Sequence, residues 1–334
     1  MYRFALIGCG RIAQRHAENI KKIGVLIAVC DIDLQKADAF AATHNAIAYY
    51  SIEDLLKKEK DFDVLTVCTP NGFHAEHSIK ALQSGKNVLC EKPMCITSAA
   101  AWQMIETEKF SRKKLFVVKS ARFNPLLKQL KTLIDNNELG RIYSFQLSCF
   151  WNRPKEYYTD WHGTLFPDGG SLYTQFSHYI DALIWLLGDI ETVTGYCINA
   201  AHQEAIEFED TGVASCILKN SVLGTINWSV NTYKKNSEIA LTLIAEKGTI
   251  CLGGEYLNEI KYSQTNAFMA PADVNPSNNY SSYNGSMSHH KEVYENLILA
   301  LDDTTHKFTN IFDGLRTVEA IEKIYKSISV ISTS

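Results

Sequence analysis

The sequence has no excess of either charge and no long apolar run. Its 33 lysines and arginines against 37 aspartates and glutamates leave a net charge of −4. No basic field therefore recommends nucleic acid or an anionic membrane as a partner. No stretch approaches the ~20 apolar residues of a membrane span. The chain reads as a strand from Phe4 onward rather than as a secretory leader, so a cytoplasmic protein is expected. The nine cysteines are odd in number and scattered, with no Cys-x-x-Cys pair. That argues against a disulfide framework and against a zinc site, and no metal is expected. Cys9, Cys30, Cys68 and Cys90 fall near the ends of expected strands, as small apolar packing residues would. Internal repeats and low-complexity tails are also missing. What remains is ordinary globular composition, 46% hydrophobic and 21% charged over 334 residues, enough for two domains with a core each.

Residues 4–7 read as a short strand of the buried type, running straight into Gly8-Cys9-Gly10-Arg11-Ile12-Ala13. Helical periodicity then continues through Ile20 and Ile23. In this Gly-x-Gly-x-x-Ala pattern the first glycine permits a tight turn and the second lets backbone approach a pyrophosphate. The alanine keeps helix and sheet close, and the helix start offers free N–H groups to an anion. The next strand, 26–30, ends at Asp31, which lies 21 residues after Gly10. An acid at that spacing holds the adenosine ribose hydroxyls in a dinucleotide fold. Asp33 stands nearer the start of the next helix and fits its cap, which leaves Asp31 for the ribose. A carboxylate there repels a 2′-phosphate and favours NAD over NADP.

Alternation continues with a helix at 52–58, a strand at 64–68, the loop Thr69-Pro70-Asn71-Gly72, a helix at 74–83 and strands at 88–90 and 115–119. Strands alternating with helices predict a doubly wound parallel sheet. His74 and His77 lie on one helix and read as surface residues rather than metal ligands. Thr69, Pro70 and Asn71 sit at a strand's C-terminal end, where a nicotinamide ribose can lie. So does Glu91-Lys92-Pro93. Pro93 fixes its own φ and keeps Lys92 out of helical conformations, and ligands of open α/β sheets bind at the carboxyl ends of strands.

After Arg122-Phe123-Asn124-Pro125 the character changes. Strand-like segments at 142–150, 192–198, 212–218, 223–230, 239–245 and 249–252 predict an α+β domain on a mostly antiparallel sheet. One helix, 171–187, interrupts them, and helices at 126–136, 291–301 and 314–328 flank them. Residues 264–288, rich in Asn, Ser and Tyr, read as a long loop, either a lid or an insertion. The expected division is 1–121 for a NAD-binding domain and 122–334 for substrate binding and oligomerisation. Asp168 or Ser171 can cap the 171–187 helix, whose Thr174, His178 and Asp181 would share one face. Polar groups on a buried helix need partners in the core or in a ligand. Beside a Lys-Pro strand end on a dinucleotide fold, His178 reads as a general base.

Together, Gly-x-Gly-x-x-Ala, the acid after the second strand, Glu91-Lys92-Pro93 and Gly-Gly…His178-x-x-Asp181 resemble the glucose–fructose oxidoreductase/inositol dehydrogenase (Gfo/Idh/MocA) family. The resemblance implies that Lys92 contacts a reacting hydroxyl and that His178 exchanges its proton. It implies a cofactor set of Gly8, Gly10, Arg11, Ile12, Asp31, Thr69, Pro70, Asn71, His74, Glu91 and Lys92 around NAD. Many members carry an aspartate four residues before the histidine. Thr174 stands there in this chain, so a proton relay would run through Thr174, Gln175 or water. Phe150-Trp151-Asn152-Arg153 with Tyr157, Tyr158 and Trp161 is similar to the nucleotide-sugar dehydrogenases of the family, including those that oxidise C3 of a UDP-N-acetylhexosamine. The substrate set is then Lys92, Arg122, Arg153, Trp161, Thr174, Gln175 and His178. The Arg153 segment equally fits a sheet edge packed in an oligomer. The function this supports is oxidation of a secondary sugar hydroxyl by NAD, in a homo-oligomer. Alternatives are a dehydrogenase of a free sugar, inositol or sugar acid, or a non-catalytic sensor of dinucleotide or sugar, which would need no paired Lys92 and His178.

Overall fold

The short, largely apolar runs of the N-terminal part suit strands covered on both faces, and polar caps start three of the helices between them. The computed structural model describes residues 1–265, 267, 277–279, 284–287, 289–303, 305–306 and 308–332. It divides into two compact units, Met1–Lys119 with His290–Val318, and Ser120–His289 with Glu319–Ser334.

In the first unit β1 (Tyr2–Ile7), α1 (Arg11–Ile23), β2 (Gly24–Cys30), α2 (Leu34–His44), β3 (Ile47–Tyr49), α3 (Ile52–Lys58), β4 (Val64–Val67), α4 (His74–Gln83), β5 (Asn87–Cys90), α5 (Ser98–Ser111) and β6 (Leu115–Val117) follow in order. The strands form one sheet in the order β3-β2-β1-β4-β5-β6, and every pair is parallel. This is the doubly wound order whose switch point lies between β1 and β4. Asp33, Ser51 and Thr97 cap α2, α3 and α5 through their side chains.

The second unit carries α6 (Pro125–Asp135), β7 (Ile142–Phe150), α7 (Leu165–Asp168), α8 (Ser171–Thr174), α9 (Ser177–Leu187), β8 (Ile190–Ile198), β9 (Thr211–Leu218), β10 (Leu223–Ser229), β11 (Glu238–Ala245), β12 (Gly248–Gly253) and β13 (Glu259–Gln264). With β16 (Ile328–Val330) they make an eight-stranded sheet, β13-β12-β11-β7-β10-β9-β8-β16. It is mixed and mostly antiparallel, β7 with β10 and β8 with β16 being parallel. Alternation in β9 and β11 buries every second residue, so one face of the sheet makes the core.

Four expectations change. Where one helix was expected over 171–187, α8 and α9 are separate, because Phe176 between them leaves helical geometry (φ −112°, ψ 3°). Neither Asp168 nor Ser171 caps α8; Gly170 stands at that position without a side-chain bond. Within the expected loop 264–288, β14 (Ser277–Asn279) pairs with β15 (Asn284–Met287), and the rest of the stretch past 265, except residue 267, lies outside the described residues. Finally, α10 (His290–Asp302) and the start of α11 (Ile311–Ser327) belong to the first unit rather than to the second. The physical reason is the apolar face of α10, where Val293, Tyr294 and Leu297 are buried and the Tyr294 ring meets Phe4 edge-on.

The glycine turn after β1 separates a structural requirement from a ligand's. Gly8 has φ +91°, and a Cβ there would stand 2.6 Å from the backbone of Cys68. A Cβ on Gly10 would meet no atom within 4 Å. Gly8→Ala should therefore cost at least the ~1–3 kcal/mol of a strained backbone, about 2–4 °C of Tm per kcal/mol. Gly10→Ala should melt within about 2 °C of the unmodified protein, as an open surface position does. Thermal denaturation followed by circular dichroism checks this. Equal losses in the two variants would overturn the steric account.

Candidate active site

The end of β2 lies against the glycine turn. Cys9 N–H donates to Asp31 Oδ2 at 2.8 Å and Asp33 N–H to Asp31 Oδ1 at 2.9 Å. These bonds orient the Asp31 carboxylate beside the turn. Asp33, not Asp31, accepts from the N–H groups of Gln35 and Lys36 and caps α2, as its place beside the helix start predicts. Gly10 and Arg11 are exposed and Ile12 is half-buried at the start of α1. Gly10 gives that helix no side-chain cap, so its first N–H groups can meet a phosphate. These residues fit an NAD pyrophosphate and ribose.

The ends of β4 and β5 hold the second group. Thr69 and Pro70 are half-buried and Asn71 is buried. His74 corrects an expectation: it is 1% exposed rather than a surface residue. Its Nδ1 lies 2.6 Å from the Pro93 carbonyl oxygen and its Nε2 2.6 Å from that of Thr69. Burial outweighs both carbonyls and holds its pKa below the ordinary histidine value. His77 is half-buried and bonds the Thr69 hydroxyl at 3.0 Å, its pKa lowered to about 4 chiefly by burial. Glu91 is buried and Lys92 half-buried at the end of β5.

Sequence reasoning missed the side chains that meet Glu91. His16 Nε2 lies 2.8 Å and His290 Nε2 3.1 Å from Glu91 Oε1. His16 Nδ1 faces the Tyr294 hydroxyl at 2.8 Å. These three residues offer ligand atoms within 4.8 Å of one another, a set able to hold a metal. One signal was available: His16 is the polar residue in the buried stripe Ala13, His16, Ala17, Ile20 of α1. His290 gave none, since its partner lies 199 residues away.

In the second unit His178 is the second residue of α9 and buried. The expected shared face breaks at Phe176: Thr174 ends α8, and its hydroxyl donates to the Asp168 carboxylate. Burial pushes that carboxyl above its usual range. Asp181, one turn beyond His178, binds Arg122 through both carboxylate oxygens, each at 2.9 Å. Both partners are buried, so Arg122 is engaged inside the unit. Arg153 is 2% exposed. Its Nε donates to Gln175 Oε1 at 2.7 Å, and its Nη1 to the Asn152 carbonyl and Asn236 Oδ1. Its plane lies over Trp151 and Tyr157. Gln175 spends its other end on the Tyr157 hydroxyl, so amide and guanidinium brace one aromatic wall. Trp161, half-buried, stacks on His162 at 3.8 Å.

Two family models match the chain: the oxidoreductase family with NAD-binding Rossmann fold over residues 2–119 and the GFO/IDH/MocA C-terminal domain over residues 127–251. The WlbA dehydrogenase of Bordetella pertussis, solved in complex with NADH and UDP-GlcNAcA, superposes with a TM-score of 0.88 at 33% identity, covering 98% of this chain and 96% of that one. Glucose-6-phosphate 3-dehydrogenase of Bacillus subtilis is 32% identical over 199 residues, 58% of this chain and 56% of that protein. D-glucoside 3-dehydrogenase of Escherichia coli is 30% identical over 234 residues, 68% of this chain and 66% of that protein. The chain thus spans between half and two thirds of these curated relatives. With both family domains present in order, the first spanning the glycine turn and Asp31, the protein belongs to the Gfo/Idh/MocA family of NAD-binding oxidoreductases.

Proposed function

We propose that the protein is an NAD-dependent dehydrogenase that oxidises the C3 hydroxyl of a UDP-linked N-acetylhexosamine, its uronic acid above all. The observation that carries this is the likeness, over nearly the whole of both chains, to a dehydrogenase complexed with NADH and UDP-GlcNAcA. Two further relatives are named as sugar 3-dehydrogenases, which supports the position on the ring. Gly8, Gly10, Arg11 and Ile12 would hold the pyrophosphate, Asp31 the adenosine ribose, and Thr69, Pro70 and Asn71 the nicotinamide end, while the Glu91 carboxylate is taken up by His16, His290 and the Lys92 N–H. NAD, when bound, supplies the hydride acceptor. The Lys92 ammonium polarises the sugar hydroxyl and His178 takes its proton, so the carbinol leaves as a ketone after losing one proton and one hydride. Arg153 and Gln175 hold the Tyr157 and Trp151 wall against which the substrate lies.

If the Asp31 carboxylate binds ribose hydroxyls, each charge-assisted bond contributes roughly 1.5–3 kcal/mol. NAD should bind more tightly than NADP, and Asp31→Ala should narrow the gap. Titration of both cofactors by protein fluorescence checks it, and equal affinities in the unmodified protein would end the assignment.

A positioned general base contributes ~10²–10⁴ in rate. His178→Ala should lower kcat by that much with UDP-GlcNAcA and leave NADH affinity within about threefold. Lys92→Met should be at least as damaging, and the two losses should not add, since both residues serve one proton transfer. Steady-state rates beside Tm values for each variant decide it. Full turnover by a folded His178→Ala protein removes His178 from the mechanism. Faster turnover of glucose or myo-inositol than of any UDP-sugar favours the free-sugar reading, and no turnover of either class favours a sensor.

The register of the large sheet also puts Tyr196, Val213, Ile217, Leu223 and Ile244 on the face away from the core. Val213, Ile217, Leu223 and Ile244 are 44, 41, 55 and 46% exposed, among Thr192, Thr194, Ser215, Thr225, Gln146 and Thr242. An uncharged sheet face with exposed apolar side chains supports an interaction surface, and a second copy of the chain is the occupant proposed. Light scattering on the eluting protein should give a dimer or a tetramer, and Ile217→Lys with Leu223→Lys should give a folded monomer. A monomeric unmodified protein would overturn it.

A further inference from the structure

Lys92 is flanked in the chain by two residues that buried histidines hold. On one side stands Glu91. Its Oε1 accepts from His16 and His290 at 2.8 and 3.1 Å, and its Oε2 accepts the backbone N–H of Lys92 at 2.9 Å. On the other side the Pro93 carbonyl oxygen lies 2.6 Å from His74 Nδ1. The three rings come from α1, α10 and α4 and are 0, 4 and 1% exposed. His74 Nε2 faces the Thr69 carbonyl oxygen at 2.6 Å, and as a neutral ring it donates to one of these two carbonyls at a time.

The protons can be placed. Burial alone would push the Glu91 carboxyl up, but the bonds from His16 and His290 outweigh it and hold the group well below its usual range. Burial also holds His16 below the ordinary histidine value. A neutral His16 then donates from Nε2 to the Glu91 anion, and its Nδ1 accepts the Tyr294 hydroxyl, which also lies 3.3 Å from Thr66 Oγ1. Three donors surround the anion, which is what a carboxylate fully out of water requires. The backbone of Lys92 is one of those donors.

We propose that His16, His290 and His74 are positioning residues that fix Lys92 through the Glu91 carboxylate and the Pro93 carbonyl. The inference rests on the reading that Lys92 meets the reacting hydroxyl. A lysine side chain can rotate, but the place and direction of its Cα set where the ammonium reaches. An error of about 1 Å at a reacting group can cost ~10²-fold in rate. The same three ligand atoms of His16, Glu91 and His290 also suit a divalent cation. Hydrogen bonds already use each of them, and a cation would have to displace the protons on both imidazole Nε2 atoms.

The test uses the full chain with NAD and UDP-GlcNAcA. Glu91→Gln, His290→Phe and His74→Asn should each lower kcat about 10–100-fold, while the sugar KM and the NADH Kd move less than about threefold. In a Lys92→Met background, Glu91→Gln should bring no further loss, because it acts only through Lys92. A role confined to stability gives the opposite pattern: a lower Tm, full kcat in the folded fraction, and the same cost in both backgrounds. If Lys92→Met keeps full turnover, the reading of Lys92 fails and the inference with it. If Lys92→Met loses turnover but Glu91→Gln and His290→Phe keep it, the positioning role alone fails. Should Glu91→Gln not fold, His290→Phe decides by the same rates, since it leaves the carboxylate its His16 and Lys92 donors. Stoichiometric metal in the purified protein, lost in His290→Phe, would overturn the inference in favour of a metal site.

Discussion

Taking the Glu91 carboxylate out of water costs several kcal/mol unless its lone pairs are met, and His16, His290 and the Lys92 backbone meet them. This need shapes the first unit. It brings α10 back to the sheet after the whole second unit has been traversed, since His290 opens that helix and Tyr294 on its next turn completes the bond to His16. It also joins the helix that follows the glycine turn to the strand that carries Lys92. The helix after the glycine turn and the backbone of Lys92 are thereby parts of one hydrogen-bonded body.

The second unit follows the same rule with different groups. Asp181 and Arg122 bury a two-point ion pair one turn from His178, a geometry that favours charge over desolvation. Arg153 is held by three acceptors and two aromatic rings. Glu209, with no cation paired to it among the described residues, shows the alternative. Burial pushes its carboxyl up to about 7, although the Tyr325 hydroxyl and Trp228 Nε1 both donate to it. Tyr325 in turn accepts the N–H of Leu172 at the start of α8. The segment leading to His178 is thus tied at Asp168, Leu172 and Gln175 before α9 begins.

One fold can serve different chemistries, because side chains on loops and short helices can change without disturbing the sheet that carries them. An open parallel sheet presents the carboxyl ends of its strands to a ligand, and an NAD-binding Rossmann model matches residues 2–119 of this chain. Two named relatives act on a glucose phosphate and on glucosides, and a structural relative holds a UDP-linked acid.

Much of the fold was legible in the residues. Short, largely apolar runs at β1, β4 and β5 announced strands buried on both faces, and Asp33 could be told from Asp31 as the cap because a cap must stand next to its helix. The long strands from β7 to β12 were equally plain from alternation. Short edge strands such as β3 and β16 carry too few residues for a pattern. The break at Phe176 left no mark because α8 and α9 share one buried apolar surface, and His74 looked like a surface residue because its two acceptors are backbone carbonyls. By itself the sequence determined the motifs whose chemistry is local: the glycine turn, the acid after the second strand, the strand-end lysine and the helix histidine. Only the tertiary structure decided which buried charges were met and by whom, because the donors to Glu91 come from positions 16, 92 and 290, and no local spacing encodes a contact made by folding.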